Sequence, residues 1–391
     1  MRLLSLGESL DALIDHRGKT PKKLGSEFTD SGIPVASAML VTNGVLDLSG
    51  ARHVSTETYR KWMPVPLKRG DVLLTSEAPL GRVARLRTDA PLVLGQRLYG
   101  LRGREGVLDT HFLYYALQSE QVQADLQGRS TGSTVFGIRQ SALRKVAIPA
   151  PSFPEQRAIA EVLGALDEKI AVNARLSACA EELVIALAGQ GKAQCKLADV
   201  ATRTTRTVKP EALSEAEVDH FSLPAYDESR TPEATLAPLI KSAKFAIESP
   251  CVLLSKLNPR IPRVWDVVEL SGRPSLASTE FIVLQPELVC SSVLWAVLSQ
   301  QNFMVELKSM VAGTSGSHQR VRPDDVMTLE ITDPRSLSKA TQEAITALGR
   351  TVVHARLENE KLARTRDALL PLLMSGKVTV KDAEAMVGEV V

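Results

Sequence analysis

The chain repeats itself. VLLTSEAPLGRV at residues 72–83 lies on VLLSKLNPRIPRV at residues 252–264 with one residue inserted. GSTVFGIRQSAL, beginning at Gly132, lies on GTSGSHQRVRPDDV, beginning at Gly313, with two residues inserted, and VNARL at Val172 matches VHARL at Val353. All three pairs start 180 or 181 residues apart, an offset that chance similarity between short words does not keep. A tandem duplication of about 180 residues follows. With 391 residues, 44% of them hydrophobic, the chain has the length to bury more than one core.

Each repeat reads as a mixed part followed by a long helix. Short runs rich in Val, Leu and Ile (VLLTS, RVARL and VAIPAP, then CVLLSKL, VWDVVEL and EFIVLQP), punctuated by Gly and Pro, predict strands. FLYYALQSEQVQADL and VLWAVLSQQNFMVELKSM carry apolar residues three and four apart and predict helices. In the long segments, Ile159, Leu163, Leu166, Ile170, Asn173, Ser177, Ala180, Val184 and Leu187 step by four and three. So do Ile345, Leu348, Val352, Ala355, Asn359, Leu362, Arg366, Leu369 and Leu373, which makes each a heptad seam. Pro151 and Pro154 precede the first and Gly189 and Gly191 follow it; Ser338 is placed to cap the second, which Ser375-Gly376 ends. A helix of about 30 residues is roughly 45 Å long, and its apolar stripe must be buried. Packing of the two helices on each other as an antiparallel spacer is the economical solution. The alternative, two unrelated surface helices on separate cores, does not account for the shared register or the matched words. The expected class is therefore α+β: two mixed α/β domains in tandem, each followed by a long helix, the helices packing as an antiparallel coiled coil. The expected boundaries are 1–152, a helix over 153–190, 191–337, a helix over 338–376, and a tail over 377–391.

Net charge is only +2, but it is unevenly placed. Residues 1–150 hold 20 Lys and Arg against 14 Asp and Glu, or +6, and the remainder 27 against 31, or −4. The first half thus leans towards a polyanion. Cys179, Cys195, Cys251 and Cys290 are far apart and form no C-x-x-C pair, so no metal site or disulfide framework is indicated. The amino-terminal apolar stretch is broken by Glu8 and Asp11, and no run suits a membrane span, so a cytoplasmic protein is expected.

Motifs for chemistry are missing. G-x-G-x-x-G, G-x-x-x-x-G-K-[ST] and H-E-x-x-H do not occur. An amino-methyltransferase needs an aromatic-bearing Asn/Asp-Pro-Pro motif to hold a flipped base; Asn258-Pro259-Arg260 lacks both the second proline and the aromatic. His16, His53, His111, His220, His318 and His354 are scattered. Ser133 and Ser315 stand in glycine-containing loops without a G-x-S-x-G elbow.

A duplicated mixed domain followed each time by a long helix resembles the specificity subunits of Type I restriction-modification systems. The stretches that carry the resemblance are RGKTPKKLGSEFTDSGIPVASAMLVTNGVLDL (Arg17 to Leu48), RGDVLLTSEAPLGRVARL (Arg69 to Leu86), GSTVFGIRQSALRKVAIPAPSFPEQRAIAEVLGALDEKI (Gly132 to Ile170) and RTRDALLPLLMSGKV (Arg364 to Val378). The second copy departs from the pattern: it has no clear Gly-x-Pro first strand, and Asp333-Pro334 and Gln342 stand where the first copy has Pro-x-Pro-x-x-x-Gln. The resemblance implies a non-catalytic subunit whose mixed domains are target-recognition domains, each reading half of a bipartite, asymmetric target in double-stranded DNA. It further implies that the helices set the separation and dock two methyltransferase subunits, and that restriction (nuclease-translocase) subunits then join. No cofactor is expected in this chain, because S-adenosylmethionine belongs to the partner methyltransferase.

Phosphate contacts position a protein on DNA, whereas contacts to base edges specify sequence. The candidates for positioning are Arg17, Lys19, Lys22, Lys23, Arg82 and Arg97 in the first domain and Lys256, Arg260 and Arg263 in the second; each alone reads equally as a solvated basic face. For base reading the aligned polar loops offer Ser133, Thr134 and Arg139, and Ser317, His318, Gln319 and Arg320. The competing reading there is that Gly132 and Gly313 only make a turn. Held by a spacer of that length, two domains would address half-sites about one to one and a half DNA turns apart, a turn being ~34 Å. Asn173 and Asn359 fix register at the seam or sit exposed on a wider stripe, and Leu176, Leu183 and Leu357 form a second apolar edge for partners. The rival functions are a free-standing sequence-specific DNA-binding protein, a coiled-coil scaffold without methyltransferase partners, and an enzyme with a site at the domain interface.

Overall fold

The computed structural model describes residues 1–388 except 43, 133, 214–215 and 311–318. The chain divides into two compact units, Met1–Glu168 with Leu362–Val391, and Lys169–Lys361.

In the first unit the runs predicted as strands form a four-stranded antiparallel sheet in the order Leu10–Asp15, Leu98–Gly103, Val72–Thr75, Val83–Arg85. Val72, Leu73, Leu74 and Thr75 are all buried, as a central strand covered on both faces must be. A second sheet orders Arg52–Val54, Ile33–Ala36 and Val93–Leu94, the last pair parallel. Arg2–Ser5 pairs with Ala147–Ala150, which brings the start of the unit to the strand leading into the first long helix. Trp62, Tyr99, Phe112 and Tyr115 are fully buried among leucines and valines, each such side chain contributing roughly 1.5–3 kcal/mol.

The second unit repeats this wiring. Its four-stranded sheet runs Ala201–Thr204, Phe281–Pro286, Cys251–Ser255, Val264–Val267, the order of the first unit. Glu217–Phe221 lies between antiparallel Glu233–Leu236 and parallel Ser275–Ala277, as Ile33–Ala36 lies between its two neighbours. The second copy therefore has the first strand that its missing Gly-x-Pro motif left unmarked. Lys244–Ile247 and Thr207–Val208 extend this sheet to five strands. Gln194–Lys196 pairs with Glu330–Thr332 as the counterpart of Arg2–Ser5 with Ala147–Ala150.

Each of the two runs predicted to be helical within the mixed parts is a broken pair of helices. Thr110–Ala116 and Glu120–Gly128 are separated at Ser119, and Ser291–Leu298 and Gln301–Ser309 at Gln300, both break residues lying in extended backbone. Every residue of Ser291–Leu298 is buried, so apolar spacing there marks a core helix with no solvent face. Asp109 caps the first pair by accepting from Phe112 N at 2.8 Å.

The long helices run Phe153–Ala188 and Lys339–Ser375, 36 and 37 residues, longer than the seams suggest. Pro154 falls in the first turn, where a missing N–H costs nothing, and Pro371 is carried inside the second helix. Ser338 caps the second helix by accepting from Thr341 N at 3.1 Å. The seam residues Ile159, Leu163 and Leu166, with Leu362 and Leu369, are buried in the first unit. In the second, Ile345 and Val352 are buried and Ile170 and Leu348 half-buried. Within the second unit Asn173 Nδ2 donates to Glu358 Oε2 at 2.5 Å, Asn359 Nδ2 to Ile170 O at 3.2 Å, and Arg356 to Glu181 at 2.6 Å. Ascending positions on one helix thus meet descending positions on the other, so the pair is antiparallel. Both seam asparagines bond across it. Within the first unit Arg366 donates to Asp167 Oδ1 at 2.8 Å, and Tyr115 Oη to the other oxygen at 2.7 Å.

Candidate nucleic-acid interface

Four segments of the first unit meet at one place: the loop after Val72–Thr75, the turn before Leu98–Gly103, the segment after Leu10–Asp15, and the polar loop at Thr131–Arg139. Ser76 N donates to Arg97 O at 2.8 Å, Ile138 N to Ser76 O at 2.9 Å, and Gly95 N to Ala36 O at 2.9 Å. Any side chain at Gly95 would meet Ala36 O at 2.2 Å, so only glycine lets the turn approach this closely. The polar loop is pinched shut by reciprocal bonds between Thr131 and Gly137, 2.9 and 3.0 Å, which leave Thr134, Val135 and Phe136 exposed.

The cations proposed from sequence fall into distinct groups. Arg17 bonds Asp15 through two nitrogens at 2.8 and 2.9 Å and Ile138 O at 3.1 Å, and lies 4.1 Å from the Tyr99 ring centroid. Burial works against charge on Asp15, but the Arg17 hydrogen bonds and charge outweigh it and hold the carboxyl below its ordinary value. Arg17 is thus a half-buried clamp on the polar loop. Lys19 Nζ donates to Trp62 O at 2.8 Å, Lys23 Nζ to Gly18 O at 2.9 Å, and Arg82 to Val41 O at 3.4 Å. None of these three is paired with a carboxylate among the described residues. Lys22 and Arg139 are exposed. Arg97 places Nε 2.9 Å from Glu77 Oε1 and has φ +65°, in the left-handed region that side chains disfavour.

A groove of about 430 Å³ opens beside this place, lined by Lys19, Phe28, Met39, Arg52, Trp62, Gln96 and Arg97 among others. The Arg52 guanidinium lies 3.8 Å from the Phe28 ring centroid, a stacked cation of the kind that meets nucleic acid. Phe28, Arg52 and Gln96 were not singled out from the sequence. Phe28 and Arg52 become a pair only through sheet contacts, and Gln96 adjoins Arg97 without a motif of its own.

The second unit builds the same crossing from different side chains. Lys256 N donates to Glu280 O at 2.8 Å and Val321 N to Lys256 O at 3.1 Å. Arg320 bonds Glu280 through Nε and a terminal nitrogen, both 3.0 Å, and this holds Glu280 below the ordinary carboxyl value. Arg263 is tied to Asp227 at 2.6 and 2.8 Å. Arg260 is exposed and Lys256 half-buried. Gln319, expected at a base edge, is instead 6% exposed, its backbone carbonyl accepting from Asn258 N at 2.8 Å; the chain re-enters the core just after it, at Val321. Ser133, Ser317 and His318 lie outside the described residues.

Among the described residues no three His, Cys, Asp or Glu side chains are grouped to hold a metal ion. None of the described helices is long and apolar enough to cross a membrane.

Residues 4–182 match the family described as Type I restriction modification DNA specificity domain. The match takes in the first repeat and most of its long helix, somewhat under half of the chain. Among particular relatives, the Type I restriction enzyme MjaIX specificity subunit of Methanocaldococcus jannaschii is 29% identical over 172 residues, 44% of this chain and 39% of the relative. The MjaVIII specificity subunit of the same organism is 28% identical over 38% of this chain and 36% of its own length. The matched region thus spans under two fifths of these relatives. The crystal structure of a Type I restriction-modification system S subunit from M. genitalium covers 95% of both chains with a TM-score of 0.62 at 16% identity, a likeness of fold across both repeats.

Proposed function

We propose that the chain is the non-catalytic DNA-recognition subunit of a Type I restriction-modification enzyme, acting on DNA in a prokaryotic cytoplasm. One observation carries the reading: two units whose four-stranded sheets have one strand order, the first of them matching a domain described by DNA specificity, present the same backbone crossing with different outward side chains. A repeated frame with unlike surfaces suits a bipartite, asymmetric target in which each unit reads one half. In the first unit Lys19, Lys22, Lys23 and Arg82 supply charge for phosphates; in the second, Arg260 and Lys256 do. Arg17 acts indirectly by fixing the polar loop, and Arg263 by fixing the segment that ends in its strand.

Leu176 and Leu183 on the first long helix are 46% and 49% exposed, with Val172 beside them at 49%. This leftover apolar edge, which a two-helix spacer alone would not need, favours methyltransferase docking over a free-standing DNA-binding protein or a scaffold. S-adenosylmethionine and the reaction belong to that partner, and the restriction subunits join the assembled methyltransferase.

The test is assembly followed by DNA retention. Produced with a Type I methyltransferase, the chain should co-purify with it, and the complex should bind duplex DNA with an affinity that falls steeply with salt. A chain that stays alone and ignores duplex DNA at low salt would sink the proposal.

A further inference from the structure

The two repeats supply an internal comparison that separates frame from reader. Three backbone bonds are reproduced position by position. Thr75 N to Arg82 O, Ser76 N to Arg97 O and Ile138 N to Ser76 O in the first unit become Ser255 N to Arg263 O, Lys256 N to Glu280 O and Val321 N to Lys256 O in the second. The adjoining bridges correspond as well, Glu77 with Gly137 and Leu257 with Arg320. On this frame Arg82 and Arg263 are the same residue type, and Thr75 and Ser255 both keep a hydroxyl that bonds the following loop.

The outward positions have exchanged their chemistry. Arg97 occupies the place of Glu280, Glu77 that of Leu257, and Gly137 that of Arg320. Each unit nevertheless ends with one guanidinium set against one carboxylate at the crossing, Arg97 with Glu77 and Arg320 with Glu280. The side chains stay partly in solvent, at 52% and 40% in the first pair and 49% and 30% in the second. An ion pair this exposed contributes little to stability. Keeping a pair at the crossing while the cation moves from the turn before Leu98–Gly103 to the end of the polar loop therefore calls for a reason outside folding. A carboxylate beside an exposed guanidinium orients its planar fork before a ligand arrives, so less freedom is lost on binding. The left-handed backbone at Arg97 is a further cost borne at this position.

We infer that this crossing is the base-reading centre of each unit, with Arg97 reading a base pair of one half-site and Arg320 a base pair of the other. The inference rests on the DNA-recognition function proposed above. It moves Arg97 from a phosphate contact to a specificity determinant, with the exposed Gln96 beside it at the groove rim. Arginine suits the task because its fork matches the paired acceptors of guanine in the major groove.

The test uses the subunit co-produced with its methyltransferase, genome-wide methylation mapping, and Arg97→Lys and Arg320→Lys, which keep the charge and remove the fork. Arg97→Lys should relax preference at a position of one half-site by roughly 5- to 150-fold and leave the other half unchanged. Arg320→Lys should do the converse. An unchanged motif in both variants overturns the inference, as does uniform weakening at every site with no change in base preference, the mark of a phosphate contact. A wild-type complex that methylates no bipartite motif removes the underlying function, and so is told apart from failure of the inference alone.

Discussion

Asp266 illustrates what burial does to a single carboxyl. Its Oδ1 is buried without a hydrogen-bond partner, while Oδ2 accepts from Ser292 Oγ at 2.5 Å. Burial pushes the group up to about 6 from 3.8, against the hydrogen bonds of Ser292 and Ser291. The folded value lies above the unfolded one, so the group's contribution to stability is complete below about pH 4 and is lost as pH rises through about 6. Asp266→Asn mimics the protonated form. It should match the wild type near pH 4 and exceed it at pH 8 by ~1–3 kcal/mol; thermal unfolding across that range checks this, and a variant less stable at pH 8 contradicts it. Sequence alone identified cations such as Arg17 and Arg263 correctly as charged but not their surroundings. The partner of Arg263, Asp227, is 36 positions away and is brought to it by the fold. Gln319 looked like a reader because it sits in a polar loop, and its burial shows only in the fold, where the chain re-enters the core just after it at Val321.

The long helices were legible because a seven-residue period is a local signal that survives without neighbours. Sheet order was not, since strand pairing joins segments as distant as Ala201–Thr204 and Phe281–Pro286. Gly349 shows a packing constraint that periodicity hides. It lies in the second long helix, where glycine weakens a helix by about 1 kcal/mol relative to alanine, yet a Cβ there would meet Ser292 Oγ at 2.2 Å. Gly349→Ala should therefore destabilise the second unit by ~1–3 kcal/mol despite its better helix propensity, whereas a rise in melting temperature would show that Ser292 yields freely. On the opposite account, Leu176→Glu and Leu183→Glu change an exposed edge and should leave unfolding within about 0.5 kcal/mol of wild type. They should also weaken co-purification with the methyltransferase. Undiminished assembly in the double variant would place the partner elsewhere.

At the scale of the whole molecule the duplication governs the reading. Repetition gave the sequence its strongest signal, and the structure answers with two sheets of one order and two crossings of one backbone pattern. Divergent outward residues could not be recognised from the sequence as equivalent, because insertions shift Arg97 against Glu280 by 183 positions while the matched words keep 180 or 181. In the proposed function each repeat reads half of one target. Methylation mapping of host DNA, with the methyltransferase produced alone and together with this chain, tests it most directly. The chain's presence should create one methylated motif made of two specific parts split by an unread gap. A continuous motif, or methylation that does not depend on the chain, would contradict it.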